Sequence, residues 1–125
     1  MTRFVSFTAA QQIVERHGFY INDAGLLGSA IARPRTNVFG EDAYATFELK
    51  AAAMMHSVIK NHALVDGNKR TAWSLFYYFL WINKYRHEMT EETAFDLVLG
   101  IAEDRYTLDQ AAEIISRHLV SLRSS

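Results

Sequence analysis

The chain has 125 residues, no cysteine and a formal net charge of −1, with 13 Lys and Arg against 14 Asp and Glu. This length is enough for one domain with its own hydrophobic core, so we predict a single domain over residues 1–125. The nearly balanced charge argues against a dedicated nucleic-acid-binding protein. The lack of cysteine excludes disulfide scaffolds and thiol catalysis.

The sequence shows no targeting segment and no membrane-spanning segment. Its first apolar stretch is too short for a signal peptide. The longest apolar run covers residues 73–82, well below the ~20 residues that a membrane-spanning helix needs. We therefore expect a cytoplasmic protein without a membrane partner.

Apolar periodicity predicts an all-α bundle of about six helices. Thr8 and Gln11 form a capping-box pattern that opens a first helix, which we expect to run to Gly18. Asp23 is placed to cap a short second helix. That helix must end before Pro34, because the residue before a proline disfavours the helical conformation.

A longer third helix is predicted from about Thr46, with apolar residues at spacings of three and four. Asp66 or Gly67 caps the fourth helix, which runs to about Asn83 and is apolar nearly all round. Such a helix is expected at the centre of a bundle. A fifth helix begins at Thr90.

The last predicted helix opens with a second capping box and continues as far as Leu122; the box consists of Thr107 and Gln110. Aromatic residues recur at helical spacing along the fourth helix. They could suggest base stacking, but helical spacing inside an apolar helix favours core packing. The series consists of Trp73, Phe76, Tyr77, Tyr78, Phe79 and Trp81.

Residues 33–42 do not follow the helical pattern. They contain Pro34, Asn37 and Gly40, and their only apolar pair is Val38 and Phe39. Two arginines make the first part of the segment basic. Its length predicts a long loop or a small hairpin, and such segments in compact domains often carry function.

The run from His62 to Arg70 carries the clearest chemical signal. It places Lys69 and Arg70 in the first turn of a helix, where unpaired N–H groups give a partial positive charge. Cations are normally disfavoured at that end. Together with Gly67 and Asn68, they indicate a site for an anion such as phosphate.

Each of these residues alone also has a simpler structural interpretation. Asp66 is a common type of helix N-cap, and Gly67 is a common turn residue. Lys69 and Arg70 could form a solvated basic face, and His62 could be a buried, hydrogen-bonded histidine. Their joint occurrence in this order favours the functional interpretation.

The run resembles the Fic/Doc family, whose signature H-x-F-x-[D/E]-G-N-G-R-x-x-R follows a long helix. The matching positions are His62, Asp66, Gly67, Asn68 and Arg70. Two upstream segments, residues 25–34 and 39–40, resemble the death-on-curing (Doc-like) branch of that family. The resemblance implies a compact Fic/Doc-type helical bundle.

Three positions depart from the signature. Leu64 stands in place of the phenylalanine, and Trp73 in place of the second arginine. Lys69 replaces the second glycine, which in adenylyl transfer lets the nucleotide phosphates approach the backbone. The N-K-R form is that of the Doc branch, whose toxins are similar to kinases in action.

The resemblance implies a toxin that transfers the terminal phosphate of ATP to a Ser or Thr hydroxyl of a translation factor, with elongation factor Tu as the family's target. Two alternatives stay open: AMP transfer, as in Fic adenylyltransferases, and a catalytically silent protein-binding module.

The family also implies roles for the motif residues. His62 would accept the proton of the attacking hydroxyl, since histidine titrates near neutral pH. Asp66 would hold Mg²⁺. The phosphate would be bound by Gly67, Asn68, Lys69 and Arg70, and the two cations would also stabilise charge during transfer.

Two further features follow from the resemblance. The segment of residues 33–42 would act as a flap that positions the target, with Arg35, Thr36, Asn37, Val38 and Phe39 as the positioning residues. The inhibitory pattern [S/T]-x-x-x-E-[G/N] of many Fic proteins is missing, because no Glu in this sequence precedes Gly or Asn. Restraint would then come from an antitoxin whose C-terminal segment lies in a groove of the toxin.

Overall fold

The computed structural model describes residues 1–123. Over these residues the chain forms six α-helices, which confirms the predicted all-α bundle. They are α1 (Phe7–Arg16), α2 (Ala24–Ala32), α3 (Phe47–Asn61), α4 (Asn68–Ile82), α5 (Glu91–Ala102) and α6 (Leu108–His118). The predicted domain reaches residue 125, so its last two positions lie outside the described residues. None of the helices described has both the length and the apolar composition needed to cross a membrane.

Short elements connect the helices. A single 3₁₀ turn, Arg33–Arg35, follows α2 directly. Two antiparallel pairs of strands complete the fold: β1 with β2, and β3 with β4. Their bounds are β1 (Asn37–Val38), β2 (Glu41–Asp42), β3 (Tyr85–His87) and β4 (Leu119–Ser121).

Four predicted helix starts are confirmed, and each has a side-chain N-cap. In each, a side-chain oxygen accepts a hydrogen bond from a backbone N–H three residues further on, which satisfies one unpaired donor of the first turn. These caps are Asp23, Thr46, Thr90 and Thr107. The predicted capping box at the start of α6 is also present, with the side chain of Gln110 bonded back to the Thr107 N–H at 2.9 Å.

The predicted start of the first helix is wrong by two residues. The cap of α1 is Ser6, whose hydroxyl accepts from the Ala9 N–H at 3.1 Å. Thr8 therefore lies inside the first turn. Ser6 is as good a cap as threonine, and two caps so close together cannot be ranked from local sequence alone.

The predicted end of the last helix is also wrong. α6 ends at His118, and the next three residues pair antiparallel with β3, with His87 opposite Leu119. The Glu88 N–H donates to the His118 carbonyl at 2.8 Å. Because β3 lies about thirty positions earlier in the sequence, a local helical pattern could not reveal this pairing.

α3 lies at the centre of the bundle, where the sequence analysis places α4. It packs against α2, α4, α5 and α6, and Ala51, Ala52 and Ala53 are fully buried. Small side chains let neighbouring helices approach α3 from several sides. α4 instead keeps an exposed stripe, because the side chains of Tyr77 and Trp81 are more than half exposed.

The prediction of aromatic core packing on α4 is therefore confirmed only in part. Phe76 and Phe79 are fully buried, whereas Tyr77 and Trp81 are 58% and 64% exposed. Both exposed residues lie four positions apart on the side of α4 that faces away from α3. Apolar composition alone does not reveal which side of such a helix lacks a partner.

Within the flap, which comprises residues 33–42, residues 37–42 form a small hairpin, one of the two forms that its length predicts. Asn37 pairs with Asp42 and Val38 with Glu41. The two-residue turn between the strands has positive φ at both positions, +51° at Phe39 and +83° at Gly40. Positive φ at both positions gives the turn a twist that matches that of the paired strands.

Replacing Gly100 of α5 with alanine should lower the free energy of unfolding by about 1–3 kcal/mol, the usual effect of overpacking. A Cβ at this position would lie 2.3 Å from Cε2 of Tyr106. The tyrosine ring cannot easily move away, because its hydroxyl donates to the Asp96 carboxylate. Urea unfolding of the purified variant measures the change.

Gly28→Ala in α2 is the matched control, since the nearest atom to its Cβ would be 3.9 Å away, on Phe7. This variant should be neutral or more stable by up to ~1 kcal/mol, because alanine favours the helix. Equal destabilisation of both variants would contradict the assigned contact with Tyr106.

Candidate functional site

The loop between α3 and α4 carries the His62–Arg70 motif. α3 ends at Asn61, and His62 follows it in the left-handed conformation, with φ +51°. This turn reverses the chain direction within one residue. The His62 side chain is exposed.

Backbone hydrogen bonds hold this loop against the segment that precedes α2. The Asn22 and Asp23 N–H groups both donate to the Ala63 carbonyl, at 2.8 Å and 2.9 Å. The Val65 N–H donates to the Tyr20 carbonyl at 3.1 Å. The loop is therefore fixed from outside as well as by the two helices that it connects.

The side chain of Asn68 fixes the loop from the inside. Its Oδ1 accepts from the Leu64 N–H at 3.1 Å, and its Nδ2 donates to the Leu64 carbonyl at 3.2 Å. Both polar atoms of the amide are thus engaged with one residue of the loop. The backbone N–H of Asn68 has no acceptor among the described residues, so it remains available to a ligand.

Leu64 occupies a core position, with 3% of its surface exposed. The family signature has a phenylalanine at this point. A leucine retains an apolar anchor for the loop there, so this departure leaves the backbone of the motif in place.

Gly67 is required at the start of α4. Its φ is +81°, a value that favours glycine, and a Cβ would lie 2.3 Å from Cε2 of Phe19. Its N–H donates to Oδ1 of Asp66 at 2.8 Å. Any larger residue would displace Phe19 and change the direction of the first turn of the helix.

The first turn of α4 presents unpaired donors. Within residues 1–123, the N–H groups of Asn68, Lys69 and Arg70 have no protein acceptor, and the first intrahelical bond runs from Thr71 to the Gly67 carbonyl at 2.9 Å. The side chains of Lys69 and Arg70 are exposed and form no ion pair with the described residues. Donors and cations at one helix start make a binding site for an anion.

The structure brings all the predicted motif residues together around one cavity of about 680 Å³. From the motif, its lining includes His62, Asp66, Gly67, Asn68, Lys69 and Arg70. The other lining residues are Phe19, Ile59, Lys60, Val65 and Ala102. A possible proton acceptor, a carboxylate and two cations thus face the same space.

Lys60 is a cavity residue that the sequence analysis misses. It lies in the last turn of α3, and its Nζ donates to Oδ2 of Asp104 at 2.9 Å and to the Ala102 carbonyl at 3.3 Å. In the sequence it resembles an ordinary cation at a helix C-terminus. Lys60 lies two residues before His62, and its bonds at the end of α5 hold its side chain at the edge of the cavity.

The donor set can share Mg²⁺ with a nucleotide, although it cannot enclose the ion alone. One oxygen of Asp66 accepts from Gly67, and the carboxylate is exposed, so its other oxygen is free to act as a ligand. Residues 1–123 contain no group of three or more His, Cys, Asp or Glu that could hold a metal. Mg²⁺ commonly uses one or two carboxylates and completes its coordination with substrate phosphates and water.

A second cavity, of about 710 Å³, adjoins the first and shares Lys69 and Arg70 with it. Its other lining side chains are mostly apolar or aromatic. They are Trp73, His87, Met89, Thr90, Glu91, Ala94, Phe95, Val98 and Leu99. Trp73, which stands where the signature has a second arginine, belongs to this apolar wall.

The predicted flap residues lie outside both cavities. The residues concerned, Arg35, Thr36, Asn37, Val38 and Phe39, are all exposed. Phe39 is fully exposed at the tip of the hairpin. Arg33 differs from the expectation of a basic loop surface, because its guanidinium is turned inward onto α3.

His56 of α3 is a half-buried histidine next to that guanidinium. Arg33 Nη1 lies 2.9 Å from its Nδ1, so this nitrogen must accept and carries no proton. Burial lowers the pKa of His56, and the charges of Arg33 and Lys60 lower it further, against a smaller opposing effect of Asp104. The pKa of His87 is also lowered, by burial and then by His118 and Arg86.

Comparison with known proteins gives two matches. A family model described as "Fic/DOC family" matches residues 6–80, which include α1 to α3, the whole motif and most of α4. A protein named "Toxin Doc" from Mycolicibacterium smegmatis is 45% identical over 94 residues. The aligned part covers 74% of this chain and 72% of that protein.

Folding stability should fall as the pH drops below the ordinary histidine pKa of about 6.5. In the folded state the pKa of His56 is lowered. At a pH between the folded-state and the unfolded-state pKa, the unfolded chain therefore binds more protons than the folded chain. The loss should level off below the lowered pKa. His56→Gln retains an acceptor for Arg33. This variant should show a smaller change of the free energy of unfolding with pH, as measured by urea unfolding between about pH 7.5 and 5.

His87→Gln should remove a separate part of the pH dependence of the free energy of unfolding, because the pKa of His87 is lowered by different neighbours. The same urea unfolding measures it. An unchanged slope in His56→Gln would show that Arg33 does not depend on the neutral form of this histidine.

Proposed function

This chain belongs to the Fic/DOC family, in its death-on-curing branch, and on that premise we propose that it is the toxin of a toxin–antitoxin pair and transfers the terminal phosphate of ATP to a protein hydroxyl. One observation carries the proposal. His62, Asp66 and the cationic start of α4 line one cavity, and a lysine stands where the family signature has its second glycine. The cavity favours a phosphate, and the lysine favours transfer of that phosphate alone.

The start of α4 is the group that binds the phosphates. Three unpaired N–H groups and the side chains of Lys69 and Arg70 supply hydrogen-bond donors and positive charge at one point. Phosphoryl transfer spreads negative charge over the oxygens of the moving group, so fixed donors and cations lower its barrier by stabilising that charge. Lys69 supplies a mobile cation where glycine would leave only backbone.

His62 is the proposed general base. The hydroxyl oxygen of the target Ser or Thr forms a bond to the terminal phosphorus of ATP, and the bond from that phosphorus to the bridging oxygen breaks. The hydroxyl proton passes to the His62 ring, and ADP leaves with the electron pair of the broken bond. The exposed position of His62 at the end of α3 leaves its ring accessible to a second protein.

Asp66 is the proposed metal-binding residue. Its carboxylate would hold Mg²⁺, which would offset the negative charge of the phosphates. The Gly67 N–H fixes one carboxylate oxygen of Asp66, which orients the carboxylate toward the cavity. Asp66 thereby determines where the phosphates and their counter-ion lie relative to His62.

The second cavity gives a place for the rest of the nucleotide. It shares Lys69 and Arg70 with the phosphate cavity and continues into an apolar and aromatic wall. Pockets that bind nucleosides are mostly apolar, with a few polar groups that fix orientation. ATP can therefore extend from the motif into the space between α4 and α5.

The target is proposed to be a translation factor, with elongation factor Tu as the candidate that the family suggests. Its segment would lie along the flap, whose residues 35–39 are exposed. An extended peptide can pair with the edge of such a hairpin, and Phe39 can enter a pocket of the target. The reaction would take place in the cytoplasm, where ATP and translation factors are present.

Control of this activity is proposed to come from an antitoxin. The name of the relative, Toxin Doc, supports such a partner. The side chains of His62, Asp66, Lys69 and Arg70 are exposed to solvent around one cavity, so the C-terminal segment of a second protein can cover them in a toxin groove.

AMP transfer is the alternative reaction for the same fold. It needs close approach of the nucleotide phosphates to the backbone at the position of Lys69, which the lysine side chain hinders. A catalytically silent protein-binding module is the alternative from another class. His62 and Asp66 are both exposed beside the unpaired N–H groups of α4, which favours a catalytically active site over an inactive one.

His62→Ala should abolish toxicity on expression in a bacterial host and lower phosphate transfer by about 10²–10⁴-fold, the usual contribution of a general base. His17→Ala is the matched control, because His17 is exposed and lies outside the cavity. Intact-mass spectrometry of purified elongation factor Tu, incubated with ATP and the toxin, measures the product. Equal toxicity of the wild type and a folded His62→Ala variant would rule out the proposed role of His62.

Lys69→Gly restores the second glycine of the family signature and should reduce phosphate transfer by at least about tenfold, because one charged donor is lost. Lys84→Gly is its control, since Lys84 lies at the far end of α4 and has a positive φ that suits glycine. The mass of the modified target distinguishes a phosphate from an AMP. An AMP addition by the wild type would overturn the proposed reaction.

A further inference from the structure

The flap is attached to α3 by hydrogen bonds from a buried lysine. Lys50 belongs to the first turns of α3 and is 4% exposed. Its Nζ donates to Oδ2 of Asp42 on β2 at 3.1 Å and to the Tyr44 carbonyl. A buried amine is unfavourable unless it is paired and hydrogen-bonded. Lys50 therefore holds the second strand of the flap against α3.

A second attachment holds the other side of the flap. The Nε of Arg33 donates to the hydroxyl of Tyr44 at 2.8 Å, and its Nη1 donates to the hydroxyl of Ser57 at 2.9 Å. Nη1 also lies 2.9 Å from Nδ1 of His56. These bonds join the start of the 3₁₀ turn, which precedes β1, to the middle of α3.

Both attachments involve Tyr44, and both connect the flap to α3. The carbonyl of Tyr44 accepts from Lys50, and its hydroxyl accepts from Arg33. The base of the hairpin is thus fixed on the helix that His62 terminates. Its tip, by contrast, has Phe39 fully exposed and has no contact that would hold it within the described residues.

We propose that Lys50 and Arg33 are positioning residues for the protein target. By fixing the flap on α3, they place a segment that pairs with the hairpin at a set distance and angle from His62. This inference rests on the proposed function, because it requires a target on the flap. Neither residue lines the phosphate cavity, so their loss should affect the target and leave ATP binding unchanged.

Lys50→Met and Asp42→Ala test the attachment from its two sides. Each should raise the KM for the protein target by about tenfold and leave the KM for ATP within about twofold. Methionine retains the volume of the buried chain, and Asp42 is exposed, so both variants should fold. Glu88→Ala is the matched control, because it removes a carboxylate from an exposed ion pair with Arg86 that involves no residue of the flap.

The double variant separates positioning from direct contact. Lys50 is too buried to touch a target, so an effect of Asp42 that acts through Lys50 should not add to the effect of Lys50→Met. The double variant should therefore match either single variant. Additive effects, an unchanged KM for the target in Lys50→Met, or a parallel loss of ATP binding would each overturn the proposal.

Hydrogen exchange tests the attachment without any transfer reaction. The Ala43 N–H donates to the Thr36 carbonyl at 2.9 Å across the base of the hairpin. Its exchange should accelerate by about tenfold or more in Lys50→Met, and it should not change in Glu88→Ala. If the wild type modifies no protein, the proposed function fails, and this measurement still decides whether Lys50 holds the flap. Unchanged exchange would overturn the inference.

Discussion

The functional loop depends on the two hydrogen bonds between the side chain of Asn68 and the backbone of Leu64. They close the loop on the first residue of α4, so the direction of the helix start and the position of the loop are set together. Leu64 is buried, and the same loop is held by backbone bonds to residues 20–23. Given this closure, Gly67 turns tightly against Phe19, and the next three residues, whose N–H groups are unpaired, line the cavity. An asparagine is well suited to this role, because its amide can donate and accept at the same time.

α3 connects the parts that the proposed reaction requires. Lys50 near its start and His56 in its middle hold the flap, while Lys60 and His62 lie at its end beside the phosphate cavity. A 15-residue helix spans roughly 22 Å at ~1.5 Å per residue. Its alanine-rich centre lets four other helices pack around it, which makes it a rigid support. The hairpin proposed to bind the target and the proposed proton acceptor are thus fixed on one element.

Local chemistry explains which parts of this structure could be predicted from the sequence. The caps at Asp23, Thr46, Thr90 and Thr107 are satisfied by neighbours three residues away, so their patterns suffice. The motif also follows local rules, since its glycine and cations are grouped along a few residues. The pairing of β4 with β3, the exposure of Tyr77 and Trp81, and the roles of Lys50 and Lys60 depend on distant partners. Apolar periodicity cannot reveal such partners, because it describes one helix at a time.

The position of Lys69 and Arg70 indicates that the first turn of α4 is selected for binding an anion and not for helix stability. A positive side chain next to unpaired N–H groups repels the partial charge of the helix start, and the described residues provide no carboxylate partner for either cation. Lys60, by contrast, is paired with Asp104, although it faces the same cavity. Of the three cations that line this cavity, Lys69 and Arg70 are thus the two without an ion pair among residues 1–123. A negatively charged ligand would relieve the repulsion and engage the free N–H groups at the same time, so bound phosphate would stabilise the fold at the point where the sequence weakens it.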